Sequence, residues 1–221
     1  MQTKSLVEFY FDPLSPYAWL ASRQFDRLES AGTQFDVRPV LLAGLLAAHG
    51  QKGPAEIPSK RAYTIRDVLR IAGGLGFRVA GPPSHPFNPL RALRMCIALD
   101  DATKRRRFAL ALLDACWSRG LELADEAVLL QLARDCELDG TALLARAGAA
   151  DVKQRLIQAT EAAVAAGVFG VPTFRFDGEL FWGADRIDAL LRRLRGQTID
   201  EALLARILAR PASAVRKTGS G

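Results

Sequence analysis

Cysteine is scarce in this sequence and poorly placed for redox work. Cys96, Cys116 and Cys136 are the only three in 221 residues, and no two of them form a C-x-x-C pair. An odd count of widely spaced thiols does not make a disulfide framework, so a dithiol oxidoreductase is not expected. Histidine is scarcer still: His49 and His85 stand alone, with no metal-ligand spacing around them, and no metal is expected. No apolar run approaches the ~20 residues that span a bilayer. Met1 to Phe11 lacks the basic region and long apolar stretch of a signal peptide. The expectation is a reducing, cytoplasmic setting with no membrane partner. The 18 glycines and 11 prolines are too few for a low-complexity chain, and no internal repeat is visible.

What is present is ordinary globular composition, 49% apolar and 24% charged. At 221 residues the chain is long enough to bury a substantial core, as one large domain or one domain carrying an insertion. The formal charge is +6. Its basic residues are scattered among acidic ones. The densest run, Lys104-Arg105-Arg106-Arg107, follows Asp100 and Asp101 and reads as a solvated helix start, with no nucleic-acid partner expected.

The ends of the chain differ from its middle. Leu6 to Phe11, aromatic and β-branched, reads as a strand. Asp12-Pro13-Leu14-Ser15-Pro16 is a turn in which Ser15 suits an N-cap and Pro16 the first helical position. A helix is expected from Tyr17 to about Ala31 and a second strand from Gln34 to Pro39, a βαβ opening with a parallel strand pair. Between Leu41 and Gly167 the periodic segments are helical, with helices expected over 59–72, 89–99, 103–119, 125–136 and 151–166. Two long irregular stretches, 49–58 and 76–88, have the size of functional loops. Strands return at Val171 to Phe176 and Glu179 to Trp182 around an Asp177-Gly178 turn, followed by helices over 185–194 and 199–208. The expected division is a discontinuous α/β domain over 1–40 and 168–210, a helical insertion over 41–167, and a flexible tail over 211–221.

Four stretches, in order, carry a resemblance to a known family: Phe9-Tyr10-Phe11-Asp12 with Leu14-Ser15-Pro16-Tyr17; His85-Pro86-Phe87-Asn88-Pro89-Leu90-Arg91-Ala92-Leu93-Arg94; Gly167-Val168-Phe169-Gly170-Val171-Pro172-Thr173-Phe174; and Trp182-Gly183-Ala184-Asp185-Arg186. Together they resemble the 2-hydroxychromene-2-carboxylate isomerases and the related kappa-class glutathione transferases, over roughly residues 5 to 205. The resemblance implies a thioredoxin-like fold with a large all-helical insertion, in which Ser15 and Ala18 stand where redox members have their cysteine pair. It further implies glutathione as cofactor, a small aromatic carboxylate as substrate, and a homodimer.

The same resemblance assigns candidate roles, each with a plainer alternative. Ser15 would hold the glutathione thiolate, or be an ordinary helix cap. Val171 would offer its backbone to the cysteinyl part of glutathione before a cis Pro172, or Pro172 simply starts a strand. Ala184, Asp185 and the adjacent Arg186 would meet the glutamyl end, whereas Asp185 is equally suited to cap a helix. Gln51 and Lys60 would close over the peptide, or be surface groups. Tyr17, Asn88 and Arg91 would face the second substrate, although Asn88 also suits a cap and Arg91 a solvated helix face. The implied reaction interconverts 2-hydroxychromene-2-carboxylate and trans-o-hydroxybenzylidenepyruvate by reversible thiol addition. A broader kappa-class-like glutathione transferase and a non-enzymatic thioredoxin-like binding module are the alternatives.

Overall fold

The computed structural model describes residues 5–211, so the tail expected over 211–221 lies outside the described residues except for Pro211. Strand β1 (Ser5–Phe11) leads into α1 (Pro16–Ser22) and α2 (Phe25–Glu29), then β2 (Thr33–Pro39). A helical block follows: α3 (Leu42–Ala48), α4 (Pro58–Gly74), α5 (Leu90–Ile97), α6 (Ala102–Trp117), α7 (Glu126–Asp135), α8 (Gly140–Gly148) and α9 (Ala150–Ala165). The chain then returns to β3 (Thr173–Phe176) and β4 (Glu179–Trp182), and ends with α10 (Ile187–Leu194) and α11 (Glu201–Leu208). The sheet order is β2-β1-β3-β4, with β1 parallel to β2 and antiparallel to β3. This is a thioredoxin-like sheet with its two halves separated by an all-helical insertion.

Local chemistry explains most of these elements. Asp177 and Gly178 both take positive φ, 51° and 81°, as a two-residue hairpin turn between β3 and β4 requires. The side chains of Asp101, Asp125 and Asp139 cap α6, α7 and α8 by accepting backbone N–H bonds. The single helix expected from Tyr17 to Ala31 is instead two. The Ser22 hydroxyl donates to Trp19 O and the Gln24 amide to Leu20 O, side-chain bonds that compete for carbonyls of the last turn of α1. The break lets Phe25 turn into the core, where its ring meets Phe9 edge-on at 4.9 Å. Helices α3 and α8 add to those expected. Gly44 allows α3 to lie against α9, since a Cβ there would come within 2.9 Å of Thr160 Cγ2.

The core joins sheet and insertion. Phe9, Phe11 and Phe174 from the sheet and Trp19 from α1 share one buried cluster with Phe108, Leu112 and Trp117 from α6. Each such side chain contributes about 1.5–3 kcal/mol on burial. The three cysteines are buried, unpaired helix or helix-end residues. In the basic run, Arg105 pairs with Asp36, Arg106 with Glu29 and Arg107 with Glu137, so three of its four cations already have carboxylate partners.

Candidate functional site

A cavity of about 1680 Å³ opens between the β3–β4 end of the sheet, α1, and the α3–α4 segment. Ser15, Tyr17, Gln51, Lys60, Val171, Pro172, Ala184, Asp185 and Arg186 all line it. Asn88 and Arg91 do not. The Asn88 carboxamide accepts the Leu90 N–H at 3.0 Å as α5 begins, and Arg91 pairs with Glu126 at 2.9 Å on an exposed face. What the 85–94 segment contributes to the wall is His85, Pro86, Phe87 and Pro89 instead.

Ser15 has extended backbone (φ −88°, ψ 115°), and its Oγ accepts the Ala18 N–H at 3.3 Å, capping α1. The same hydroxyl donates to the Val171 carbonyl at 3.2 Å. The Val171–Pro172 bond is cis, as is His85–Pro86. Ala18 is fully buried beneath the serine, so the turn holds one hydroxyl and no thiol. Gly183, at φ 115°, turns the chain sharply after β4 and donates its N–H to Pro172 O at 2.9 Å, which sets Ala184–Arg186 beside the cis-proline. Asp185 is not a helix cap: it lies inside a 3-10 turn spanning Ala184–Arg186, exposed and ion-paired with Arg186.

Three titratable groups shifted by burial border the cavity, Asp12 wholly buried and His85 and Tyr17 partly so. Asp12 is fully buried, and desolvation pushes its carboxyl up to about 6 even though the N–H groups of Leu42 and Leu14 each donate to it at 2.9 Å. Burial likewise lowers the basicity of His85, against the opposing effect of its bond to Leu14 O and with help from nearby Arg61. Tyr17 donates to Asp67 at 2.9 Å, and burial together with that carboxylate holds the phenol protonated, well above its ordinary range. Asp12 and His85 fall inside the four stretches that carry the resemblance but gave no local signal of a role. A buried carboxylate and an imidazole bonded to a carbonyl 71 residues away are visible only in three dimensions. Asp67 had no signal at all.

The cavity wall carries groups of both charge signs beside the Ser15 hydroxyl. Asp185 supplies an anion, Lys60 and Arg186 supply cations, and Ser15 and the Val171 carbonyl supply a donor and an acceptor between them. Ser15 at the start of α1, bonded to the residue before a cis-proline at the edge of this cavity, marks a thioredoxin-like protein. The chain belongs to the DsbA-like thioredoxin family, whose model, the DSBA-like thioredoxin domain, matches residues 6–195. It is 29% identical over 191 residues to a 2-hydroxychromene-2-carboxylate isomerase of Sphingobium xenophagum, covering 83% of this chain and 95% of that one. It is 27% identical over 206 residues to the human glutathione S-transferase kappa 1, covering 86% and 91% respectively. Among solved structures, a 2-hydroxychromene-2-carboxylate isomerase superposes with a TM-score of 0.78 at 24% identity, over 92% of this chain and 96% of that one. Isomerases and kappa-class transferases of this family are thus its relatives along most of their length.

Proposed function

We propose that this protein is a glutathione-dependent isomerase acting on small aromatic carboxylates of the 2-hydroxychromene-2-carboxylate type. The observation that carries the reading is the Ser15 hydroxyl, held by Ala18 N–H and directed at the backbone of Val171 beside a cis Pro172. When bound, glutathione supplies a thiolate that adds reversibly to the substrate double bond and is expelled after rotation about it.

The chain's own residues do the rest. Ser15 exchanges its 3.2 Å bond to the Val171 carbonyl for a charge-assisted bond to the thiolate sulfur. The freed Val171 carbonyl then accepts an N–H from the bound peptide, strand-fashion. Asp185 faces the ammonium, Ala184 and Arg186 line that end, and Lys60 and Gln51 meet a carboxylate from the α4 side. Tyr17, protonated and fixed by Asp67, presents its ring and hydroxyl to the second substrate. Serine suits this task better than cysteine, which oxidised glutathione would convert to a mixed disulfide by thiol–disulfide exchange, releasing one glutathione thiolate.

The cavity's size favours a second reading, a kappa-class-like transferase that conjugates a wider range of electrophiles. A steady-state assay with the chromene substrate, with and without glutathione, separates the readings. Glutathione-dependent isomerisation without consumption of glutathione supports the first. Stoichiometric loss of thiol to electrophiles supports the second, and no glutathione binding leaves only a binding module. A homodimer in the cytoplasm completes the proposal. Among the described residues no helix is long and apolar enough to cross a membrane.

A further inference from the structure

The turn that delivers Ser15 is gripped by the helical insertion as well as by its own local bonds. Pro13 O accepts the Trp117 indole N–H at 2.9 Å, and Leu14 O accepts the His85 Nε2–H at 3.0 Å. Trp117 closes α6 and is almost completely buried, while His85 stands in the loop before α5. Their rings meet edge-to-face at 5.3 Å. His85 Nδ1 is buried without a partner, so the network assigns the single ring proton to Nε2, the atom that faces the carbonyl.

Leu14 O and Ser15 N belong to the same planar peptide unit. The N–H of that unit donates to Asp12 O at 3.0 Å, and its carbonyl is taken by His85. The plane is therefore held at both ends. Its orientation sets where the Ser15 Cα–Cβ bond points, and hence where the hydroxyl lies relative to Val171.

We infer that His85 is a positioning residue for Ser15: through the Leu14 carbonyl it fixes the Leu14–Ser15 peptide plane and so the aim of the serine hydroxyl. The consequence for turnover rests on the glutathione reading proposed above; the pinning of the peptide does not. Misplacement of a reacting group by ~1 Å can lower a rate by about two powers of ten, so a small tilt of this plane is enough to matter.

The test uses the full chain and two substitutions. His85→Phe keeps a flat ring against Trp117 and removes the donor. His85→Gln returns a terminal N–H at about the reach of Nε2. Amide hydrogen exchange at Leu14 and Ser15, without ligand, should quicken about tenfold in His85→Phe and return toward the parent rate in His85→Gln. With glutathione and substrate, kcat should fall about tenfold in His85→Phe with little change in KM for glutathione, and recover in His85→Gln. Thermal unfolding of each variant confirms that the fold is kept. Unchanged exchange in His85→Phe, no recovery in His85→Gln, or altered exchange with unaltered kcat overturns the positioning role. A Ser15→Ala control separates the two levels. If it leaves the absorbance titration of the bound thiolate unchanged, the glutathione reading fails, and exchange alone then decides whether His85 pins the peptide.

Discussion

Ser15 Oγ donates to the Val171 carbonyl at 3.2 Å, joining the start of the first helix to the residue before the cis-proline 156 positions away. The bond is longer than the usual O–H···O distance, and the hydroxyl already accepts from Ala18 N–H. A weak neutral bond of this kind is readily exchanged for a stronger charged one. The pair Ser15–Val171 thus marks the place where a thiolate and a peptide N–H would enter together.

Replacing Ser15 by Ala separates the roles of cap and thiolate partner. Loss of the cap alone should lower stability by about 1 kcal/mol. Loss of a charge-assisted bond in a partly desolvated site should cost a further 1.5–3 kcal/mol in the transition state, or about one to two powers of ten in rate. Titration of the thiolate absorbance should show a raised thiol pKa in the bound complex. A stability loss with turnover and titration unchanged would reduce Ser15 to a helix cap.

Asp185 should have a modest effect. Its side chain is 65% exposed and already paired with Arg186, so solvent screens its attraction for an ammonium. Asp185→Ala should weaken glutathione binding about three- to tenfold by calorimetry. An unchanged affinity removes Asp185 from the site.

Asp12 gives the protein a pH signature. Its carboxyl in the folded state titrates at about 6, above an ordinary value of 3.8, because burial disfavours the charge. Between those values the folded state holds the proton more tightly than the unfolded one. Its contribution to stability is therefore complete below about pH 4 and is lost as pH rises through 6. The shift corresponds to about 3 kcal/mol across that window. Asp12→Asn should remove this component, so the difference in unfolding free energy between parent and variant should change with pH between 4 and 6 and level off above. A difference independent of pH would show that the carboxyl titrates normally.

Redox inertness should hold for the native thiols. Burial pushes the Cys96 thiol up to about 12 and the Cys116 and Cys136 thiols upward as well, which keeps all three un-ionised at neutral pH. Insulin reduction should stay at background. Installing the missing pair with Ser15→Cys and Ala18→Cys places two thiols at the start of α1, facing the cis-proline, and should confer measurable insulin reduction. Activity in the parent protein, or none in a folded, oxidisable double variant, would contradict this account.

Much of the site was legible because its signals are local. Ser15 followed by Pro16 announces a helix start, and Val171-Pro172-Thr173 opens a strand. Asn88 and Arg91 show the limit of such reading. Their segment does reach the cavity, but Asn88 turns to the Leu90 N–H and Arg91, on α5, to Glu126, while His85 and Phe87 in the loop before the helix line the wall. Asp185 shows it again: an acidic residue before a helix looks like a cap, yet the positive φ of Gly183 diverts the chain into a 3-10 turn first.

By itself, then, the sequence determined the order of the strands, the hairpin at Asp177-Gly178 and the helical character of the insertion. These follow from periodicity, capping and turn chemistry, which act over a few neighbouring residues. Only the tertiary structure decided that Asp12 is buried beside the site, that Tyr17 meets Asp67, and that His85 and Trp117 hold the two carbonyls preceding Ser15. Those relations join segments 50 to 104 residues apart, and at Asp12 burial sets the proton affinity. They depend on how the insertion packs against the sheet, and no short-range rule along the chain carries that information.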